Sequence, residues 1–383
     1  DYSQQILAKE SQVKEIFYRI GKFSQIQCDP IIPCKEIFNY RNKMEFTFSN
    51  HEYVPEIDKD REPVEFVMGL HAPGRWNKVL DISHCYIQSP IANEIMLSIK
   101  NLAKKLEPYN IKTHSGFIRN VIIRAGYNTD EIMINIVTGF ENKDALKPIV
   151  ELLIDKYPMI KSIVNNITAR KASVSTGEKQ VQLYGNEFML EKLGDYEFMI
   201  SPESFFQTNT IQAEKLYNIV LQESNLTGKE IVYDLFCGTG SIAIYISKFA
   251  KMVYGFELVM SAVQDAMQNA AHNNVKNTWF FAGHVEDIFH ENIEAQKLDS
   301  PDVIIVDPPR SGLHYKSIDD ILGLRPDRII YVSCNPSTQA RDVSLLCEKY
   351  YSLKKLIPID MFPHTPHVEN VATLVRNSND TCN

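Results

Sequence analysis

The stretch "VYDLFCGTGSIAIYI", residues 232–246, decides the fold class, because it joins an apolar strand to a helix through a turn that contains two glycines. Gly238 and Gly240 allow the backbone to turn tightly, and the following helix directs its N-terminus toward any ligand bound at the turn. The next strand, "VYGFE", ends at Glu257, where a carboxylate can accept hydrogen bonds from ribose hydroxyls. This stretch therefore predicts a nucleotide-type site at the carboxyl end of a strand.

The second half of the chain continues this alternation of strands and helices. Such alternation predicts an α/β fold with a doubly wound, mostly parallel sheet, in which ligands bind at the carboxyl ends of the strands. The predicted strands are 231–236, 252–257, 278–282, 302–306 and 328–333, and the predicted helices are 209–223, 240–249, 260–273 and 315–323.

The first half of the chain has a different pattern. Residues 3–20 have helical apolar spacing that ends at Gly21, and residues from about 40 to 190 contain strand-like pieces with turn residues and two helical stretches, near 88–106 and 142–156. We therefore expect three parts, namely an N-terminal helix (1–25), a central α+β domain (26–195) and a catalytic Rossmann-like domain (196–383).

The glycine turn is compatible with two kinds of cofactor. The third glycine of the dinucleotide fingerprint G-x-G-x-x-G is absent, because Ile242 and Ala243 occupy the region where it would fall. The D-x-F-C-G-x-G form resembles instead the S-adenosylmethionine site of Rossmann-like methyltransferases. A nicotinamide dinucleotide site is the alternative, and the surrounding motifs must decide between them.

Two further strand ends carry reactive side chains. In "DVIIVDPPRSGLH", residues 302–314, the prolines after Asp307 stop the strand and leave a carboxylate at the edge of the sheet. In "IIYVSCNPST", residues 329–338, the next strand ends at Cys334. An ordinary turn and a buried structural cysteine are the simpler readings of each motif alone. Together they would present an acid and a thiol beside the cofactor.

These motifs resemble, in order and spacing, those of the RNA uracil-C5 methyltransferase family, whose members make 5-methyluridine in tRNA and 23S rRNA. The resemblance rests on "SFFQTN", "DLFCGTG", "DPPRSG", "YVSCNPSTQARD" and "DMFPHTPHVENV", and "YRNKMEF" and "LHAPGRWNKVLDISHC" extend it into the central domain. It implies that Cys334 is the nucleophile and Glu369 the proton-abstracting base. It also implies that the residues around S-adenosyl-L-methionine are Gln207, Phe236, Ser241, Glu257, His284 and Asp307.

The implied reaction accounts for these residue types. A thiolate that adds to carbon 6 of uracil activates carbon 5 toward methylation, and a general base then removes the proton on carbon 5. The expected substrate is a uridine of 23S rRNA, with tRNA as the alternative. Three other readings stay open: methylation of an exocyclic nitrogen, for which Cys334 would be dispensable; methylation of cytosine at carbon 5; and a non-catalytic RNA-binding protein.

Composition restricts the class of protein further. The 383 residues are 44% hydrophobic and 23% charged, and no segment approaches the length of uninterrupted apolar residues that a membrane helix needs. The N-terminus lacks the charged-then-apolar pattern of a signal peptide, and seven scattered cysteines fit a reducing compartment. We therefore expect a soluble, cytoplasmic monomer that does not bind membranes.

The formal net charge of −8 argues against nonspecific coating of nucleic acid, but basic groups cluster locally. "IKTHSGFIRNVIIRAG", residues 111–126, contains Lys112, Arg119 and Arg124 without an acidic residue, and "GRWNK", residues 74–78, places basic groups beside an aromatic ring. Such patches can hold single-stranded RNA, so we expect the central domain to contact RNA. Solvated strand ends and hairpin tips are the alternative reading.

Some rRNA-modifying members of the family hold an iron–sulfur cluster on four cysteines. Cys85, in "DISHC", resembles the fourth of these ligands. Cys28 and Cys34 follow the helix of residues 3–20, whereas the closely spaced trio of the family precedes it. We therefore expect no cluster and no metal in this chain, and Cys85 could join a cluster only if cysteines lie upstream of Asp1.

Overall fold

The structure is a computed structural model that describes residues 1–171, 177–283 and 298–377. The chain forms two compact units. The C-terminal unit comprises Asp1–Ile37, Leu193–Phe198 and Ser204–Asn383, and the central unit comprises Phe38–Lys192 and Met199–Glu203. The domain boundaries expected near residues 25 and 195 stay a prediction, because compactness alone does not define a domain. The N-terminal helix belongs to the same compact unit as the C-terminal sheet.

The C-terminal unit alternates strands and helices as the sequence predicts. Its helices are α1 (Tyr2–Arg19), α4 (Thr210–Ser224), α5 (Ser241–Ile246), α6 (Met260–His272), α7 (Tyr315–Leu324) and α8 (Pro336–Cys347). Its sheet contains β10 (Ile231–Leu235), β11 (Met252–Glu257), β12 (Thr278–Ala282), β13 (Val303–Val306), β14 (Arg328–Ser333), β15 (Tyr351–Ile359) and β16 (Glu369–Arg376). The predicted elements are confirmed to within a few residues, except that the helix expected over 240–249 changes to a 3-10 turn after Ile246.

The strand order of this sheet is β12-β11-β10-β13-β14-β16-β15. Strands β10 to β14 run parallel, and the chain order reverses on either side of β10, whose neighbours are β11 and β13. Strand β16 is antiparallel to β14 and to β15, so its first residue lies at the edge where the parallel strands end. The carboxyl ends of β10, β13 and β14 and the start of β16 therefore share one edge, where α/β sheets bind ligands.

Capping residues explain why two of these helices begin where they do. The Asn209 side chain accepts a hydrogen bond from the Gln212 backbone N–H at the start of α4, and Asn335 does the same for Ser337 at the start of α8. Proline follows Asn335 at the first helical position, where its fixed φ fits the helix. The helix after Cys334 thus begins immediately, which fixes Cys334 at the end of its strand.

The central unit contains a second seven-stranded sheet and two helices. Its sheet has the order β3-β2-β1-β4-β5-β6-β7, and β8 and β9 form a separate hairpin. The core lies where α2 and α3 pack on one face of the sheet. The elements of this part of the chain are β1 (Lys43–Ser49), β2 (Val67–Ala72), β3 (Arg75–Asp81), α2 (Pro90–Ala103), β4 (Ile118–Ala125), β5 (Ile132–Thr138), α3 (Lys143–Lys156), β6 (Ile160–Ile167), β7 (Lys179–Gly185), β8 (Met189–Leu193) and β9 (Tyr196–Ile200). Residues Leu193–Phe198 of the hairpin are assigned to the C-terminal unit.

The expectation that Arg119 and Arg124 present exposed charges to RNA is wrong. Both lie on β4, which is paired with β1 on one side and β5 on the other, and both side chains are only 3% exposed. A buried guanidinium cannot follow a phosphate backbone at the surface. Lys112, in the preceding loop, is exposed and can still meet RNA.

Candidate active site

The turn after β10 forms an open cradle at the centre of the sheet. Phe236, Gly238 and Gly240 have φ values of 64°, 53° and 75°, in the left-handed region. A Cβ added at Gly238 would meet nothing within 4 Å, whereas one added at Gly240 would lie 2.9 Å from Ala266 and Phe280. Gly240 is therefore needed for packing, and Gly238 keeps the space beside the turn free. The unfavourable φ of Phe236, a residue with a Cβ, is the kind of strain that clusters at ligand sites.

Glu257 closes one side of this cradle. Its carboxylate accepts hydrogen bonds from the backbone N–H groups of Gly238, at 3.0 Å, and Val259, at 2.9 Å. These two bonds fix the carboxylate while leaving lone pairs on both oxygens. The position at the end of β11 and the fixed orientation fit the predicted contact with ribose hydroxyls.

Asp234, the first residue of the quoted motif, is a feature of the site that the sequence analysis did not single out. Its carboxylate is fully buried in β10, and Oδ2 accepts a hydrogen bond from the Ala243 N–H at 3.1 Å. Oδ1 has no hydrogen-bond partner among the described residues. Burial, with the nearby carboxylates of Asp307 and Glu257, raises the pKa of Asp234 well above its usual range. A buried carboxyl group with an orphaned oxygen and a raised pKa is the kind of perturbed group that clusters at functional sites.

Ser241 and Gln207 lie beside the same turn. The Ser241 hydroxyl is hydrogen-bonded to the Tyr217 hydroxyl at 2.7 Å, and Tyr217 is close enough to Asp307 and Asp234 for their charges to raise its pKa, after the larger effect of burial. Thr239 donates a hydrogen bond to the Phe205 carbonyl at 3.3 Å, which attaches the segment of the buried Gln207 to the turn. His284, the remaining predicted contact, lies outside the described residues.

The predicted catalytic residues meet at the edge shared by β14 and β16. The last pair in that antiparallel register joins Ser333 to Asn370. Cys334 follows Ser333 and Glu369 precedes Asn370, so Cys334 and Glu369 occupy the next paired position of this register. The Asp307 and Glu369 carboxylates both lie close enough to Cys334 for their charges to act on its thiol. Two motifs far apart in sequence therefore converge on one group of side chains.

Arg310, which the sequence analysis left without a role, is part of this group. Its guanidinium lies close enough to Cys334 to lower the pKa of the thiol, and it lies 3.2 Å from Nδ1 of His367, in the loop before Glu369. Its carbonyl accepts hydrogen bonds from the Asn335 side chain at 2.9 Å and the Thr338 hydroxyl at 3.2 Å. One residue thus connects the three loops that carry the acid, the thiol and the second acid.

The titration of these groups is set mainly by burial. Burial raises the pKa of Asp307 to about 6 and raises that of Glu369 well above its usual range, with the Asp307 charge adding to the second effect and Arg310 opposing it. Burial and the carboxylate of Glu369 also raise the pKa of the Cys334 thiol, while Arg310 lowers it. Perturbed titratable groups that converge in this way are typical of active sites.

Gln339 fixes the spacing of β14 and β16 beneath these side chains. Its Nε2 donates to the carbonyls of Tyr331, at 2.7 Å, and Asn370, at 3.0 Å, and its Oε1 accepts a hydrogen bond from the Asn370 side chain at 2.7 Å. All of these groups are buried. The register between Cys334 and Glu369 therefore has its own side-chain support from α8.

The loop that leads to Glu369 is anchored by a buried ion pair, which we call the Asp360 clamp and which consists of Asp360, Lys9 and Tyr2. Lys9 Nζ lies 2.6 Å from Asp360 Oδ1 and donates to the Phe362 carbonyl at 3.0 Å. The Tyr2 hydroxyl donates to Asp360 Oδ2 at 2.7 Å. The N-terminal helix α1 thus holds a segment at the other end of the sequence.

No metal centre can be assigned within the part of the chain that the structure describes. That part contains no group of three or more His, Cys, Asp or Glu side chains arranged to hold a metal ion. Burial raises the pKa of the Cys28 thiol to about 11 and also raises that of Cys34, and Cys85 is buried. Within the same residues, no helix is both long enough and apolar enough to cross a membrane.

The sheet, the glycine cradle and the carboxylate at the end of β11 define a Rossmann-like methyltransferase that uses S-adenosylmethionine. Comparison with known proteins narrows this class. Residues 173–377 match the family described as tRNA (Uracil-5-)-methyltransferase. The chain belongs to this family and is an S-adenosylmethionine-dependent RNA (uracil-5-)-methyltransferase.

Relatives and a solved structure agree with this assignment. A Chlorobaculum tepidum protein described as an uncharacterized RNA methyltransferase is 40% identical over 98% of this chain and 79% of its own length. A Staphylococcus aureus protein with the same description is 38% identical over 97% of this chain and 79% of its own length. The crystal structure of Pyrococcus abyssi tRNA (uracil-54, C5)-methyltransferase in complex with S-adenosyl-L-homocysteine is 32% identical, with a TM-score of 0.77 over 98% of this chain and 84% of that chain.

Proposed function

We propose that this protein methylates carbon 5 of a uridine in RNA through a covalent adduct between Cys334 and carbon 6, and that Glu369 removes the proton from carbon 5. The observation that carries the proposal is the convergence of Cys334, Glu369 and Asp307 at one edge of the sheet, beside the glycine cradle. A structural cysteine would not need a buried carboxyl group, a half-buried one and a guanidinium around it.

The nucleophilic step depends on the ionisation of Cys334. Burial and the neighbouring carboxylates favour the neutral thiol, whereas the positive charge of Arg310 favours the thiolate. Only the thiolate attacks, so Arg310 supports the reactive form. The thiolate forms a bond to carbon 6 of uracil, and the electron pair of the 5,6-double bond moves toward carbon 5 and the adjacent carbonyl.

S-adenosylmethionine, when it is bound, supplies the electrophilic methyl group that carbon 5 accepts. Gly238 leaves room beside the turn, Glu257 is oriented to bind ribose hydroxyls, and Asp234 supports the turn from below through its hydrogen bond from the Ala243 N–H. Asp307, between this cradle and Cys334, is the carboxyl group best situated to position the ligand relative to the base.

Glu369 then acts as general base. Its carboxylate takes the proton from carbon 5, the electron pair re-forms the 5,6-double bond, and the thiolate of Cys334 leaves carbon 6. The raised pKa of Glu369 makes its ionised form a stronger base than an ordinary carboxylate. Its burial also excludes water, which protects the adduct from a competing proton donor.

For the RNA, we propose a uridine of 23S rRNA, because Cys85 stands in a "DISHC" motif that resembles the rRNA-modifying members of the family. A uridine of tRNA is the second candidate, and it is supported by the 32% identity to an enzyme named for uracil 54 of tRNA. Nucleoside analysis of separated rRNA and tRNA, from cells with and without the gene, decides between them. Loss of 5-methyluridine from tRNA alone would reject the rRNA target.

The covalent mechanism is tested by trapping its intermediate. Glu369→Gln should allow adduct formation and methylation but not proton removal, so RNA carrying a labelled methyl group should migrate with the protein on a denaturing gel. The band should disappear in Glu369→Gln/Cys334→Ala. Glu348→Gln, an exposed carboxylate at the end of α8, serves as the matched control and should turn over normally. Normal turnover by Glu369→Gln, without trapped RNA, would reject Glu369 as the base.

A further inference from the structure

A separate pocket lies entirely within the central unit, on the hairpin and sheet around β1 to β4. It shares no residue with the active site described above. Its walls combine aromatic rings with amide, hydroxyl and guanidinium groups, which are the side chains that bind nucleobases. The residues that matter for its chemistry are Thr47, His71, Trp76, Asn77, Tyr109 and Arg119.

Trp76 gives the pocket an exposed stacking surface. It lies just after the turn between β2 and β3, where Gly74 has a φ of 69°, and its side chain is 67% exposed. Within the described residues, neither the Trp76 indole N–H nor the Asn77 side-chain amide makes a hydrogen bond, so both are free to meet a ligand. A large exposed ring next to an unused amide offers a stacking face and a polar contact to a ligand, and burial of the ring by that ligand would be favourable.

The wall behind Trp76 is held in place by a chain of hydrogen bonds. The Asn120 side chain donates to Thr47 Oγ1 at 3.0 Å, and Thr47 Oγ1 lies 3.2 Å from His71 Nε2. His71 is also hydrogen-bonded to the backbone of Trp76. Burial lowers the pKa of His71, which keeps the ring neutral near pH 7. The hairpin tip is thus tied to the sheet before any ligand binds.

The part of the pocket formed by Arg119 and Tyr109 is also held in place by specific contacts. The Arg119 guanidinium stacks 4.0 Å above the Tyr109 ring and donates hydrogen bonds to the carbonyls of Thr168, at 2.9 Å, and Arg170, at 2.8 Å. Arg119, which the sequence suggested as a phosphate contact, instead builds the pocket. A rigid wall lowers the entropy lost on binding.

Two lysines are sequence neighbours of residues that line the pocket: Lys78 stands between Asn77 and Val79, and Lys112 follows Ile111. Lys78 and Lys112 both lie close enough to His51 to lower its pKa, after the larger effect of burial. Neither lysine takes part in a salt bridge with another described residue, and two acids of the same unit are paired elsewhere: Glu52 with Arg61, and Asp81 with Lys100. Two cations that form no salt bridge with a described residue, next to lining residues of an aromatic pocket, suit a phosphate attached to a stacked base.

We propose that this pocket binds one unpaired nucleotide of the RNA substrate, away from the methylated uridine. The base stacks on Trp76, the Asn77 amide bonds to its edge, and Lys78 and Lys112 contact the adjacent phosphates. An amide offers both a donor and an acceptor, so it can read the edge of a base. The proposal rests on the activity of the family on RNA and is independent of the roles proposed for Cys334 and Glu369.

The test measures RNA binding without the methyl donor, so it does not depend on catalysis. In a Trp279→Phe background Trp76 is the remaining tryptophan of the two in the chain, and a short single-stranded uridine oligonucleotide should quench its fluorescence. Trp76→Ala should weaken binding of this oligonucleotide about 5- to 150-fold, the range for one stacked base. Trp76→Phe should restore part of the affinity for the oligonucleotide. The affinity for S-adenosylhomocysteine, measured by calorimetry, should be unchanged in Trp279→Phe, Trp76→Ala and Trp76→Phe.

Matched variants separate this site from a general surface effect. Trp279→Ala removes a tryptophan of similar exposure, 58%, from the other unit and should leave oligonucleotide binding unchanged. Lys78→Ala and Lys112→Ala should each reduce the slope of affinity against salt by about one, whereas the exposed Lys104→Ala should not. Wild-type affinity in a folded Trp76→Ala variant, or no change in Trp76 fluorescence when the Trp279→Phe protein is titrated with the oligonucleotide, would overturn the proposal even if methylation proceeds as proposed.

Discussion

Replacing Lys9 by Met would remove the cation of the Asp360 clamp while keeping a side chain of similar length. Lys9 and Asp360 are 4% and 0% exposed, and their charged atoms are 2.6 Å apart. The substitution leaves the Asp360 carboxylate buried with its hydrogen bond from Tyr2 but without a counter-charge. It also removes the bond from Lys9 to the Phe362 carbonyl, in the loop that carries Glu369. We therefore expect losses of both stability and turnover.

The size of the stability loss follows from the burial of the pair. Removing one partner of a buried ion pair costs about 3–5 kcal/mol, because it leaves an uncompensated charge. Because Asp360 keeps its hydrogen bond from Tyr2, we expect the stability loss for Lys9→Met to lie at the lower end of this range, at about 3 kcal/mol. For a unit of this size, that loss lowers Tm by about 6–12 °C. Lys14→Met, which removes an exposed pair with Glu10 on the same helix, should cost about 0.5 kcal/mol or less.

Urea denaturation and thermal melting measure these differences, and methyl transfer to RNA measures the effect on the loop. In Lys9→Met/Asp360→Asn the stranded charge is gone, so most of the stability should return. Turnover by Lys9→Met should fall while S-adenosylhomocysteine binding stays unchanged, because the clamp supports the loop before Glu369 and not the glycine cradle. A free energy of unfolding for Lys9→Met as close to wild type as that of Lys14→Met would refute the reasoning.

Two further predictions concern the cofactor side of the site. Burial raises the pKa of Asp307 from 3.8 to about 6, so the folded state holds this proton more tightly than the unfolded state; stability is full below about pH 4 and is lost as pH rises to about 6. Asp307→Asn should therefore stabilise the ligand-free protein by up to about 3 kcal/mol above pH 6 and have little effect at pH 4. Urea denaturation midpoints measured across this pH range test the prediction. An equal effect at both pH values would contradict the raised pKa of Asp307. Glu257→Ala should weaken binding of S-adenosylmethionine by about 1.5–3 kcal/mol, because the bonds from its carboxylate to ribose are charge-assisted. Calorimetry that finds unchanged affinity would show that Glu257 does not bind the ligand.

The cofactor side of the site could be predicted from sequence to a large extent. The turn from β10 to α5 depends on glycines a few residues apart, and Glu257 follows at the end of the next strand. Asp234 is part of the quoted motif, yet only the structure indicates its role, because an orphaned oxygen is recognised from the atoms that surround it. The meeting of Cys334 and Glu369 could be stated beforehand only as an implication of family resemblance, since it depends on β16 inserting antiparallel between β14 and β15.

The burial and pairing of charged residues, by contrast, could not be predicted from the sequence. The segment that contains Lys112, Arg119 and Arg124 has no acidic residue, and this pattern predicts a basic surface. However, β4 lies inside a seven-stranded sheet, and both arginines are buried. Lys9 reads as an ordinary solvated residue of an amphipathic helix, yet it meets Asp360 near the other end of the chain. Burial and pairing of a charged side chain depend on which elements pack against it. The residues adjacent to it in the sequence do not indicate which elements these are.

The sequence by itself determined the alternation of strands and helices, the glycine turn and the order of the reactive strand ends. These features arise from side-chain periodicity and turn chemistry, which act between residues close together in the chain. Tertiary structure alone decided the group formed by Cys334, Arg310 and Glu369, the Asp360 clamp and the pocket beneath Trp76. Each depends on contacts between segments distant in sequence, and such contacts are set by strand order and by burial of the whole core, which no local pattern encodes.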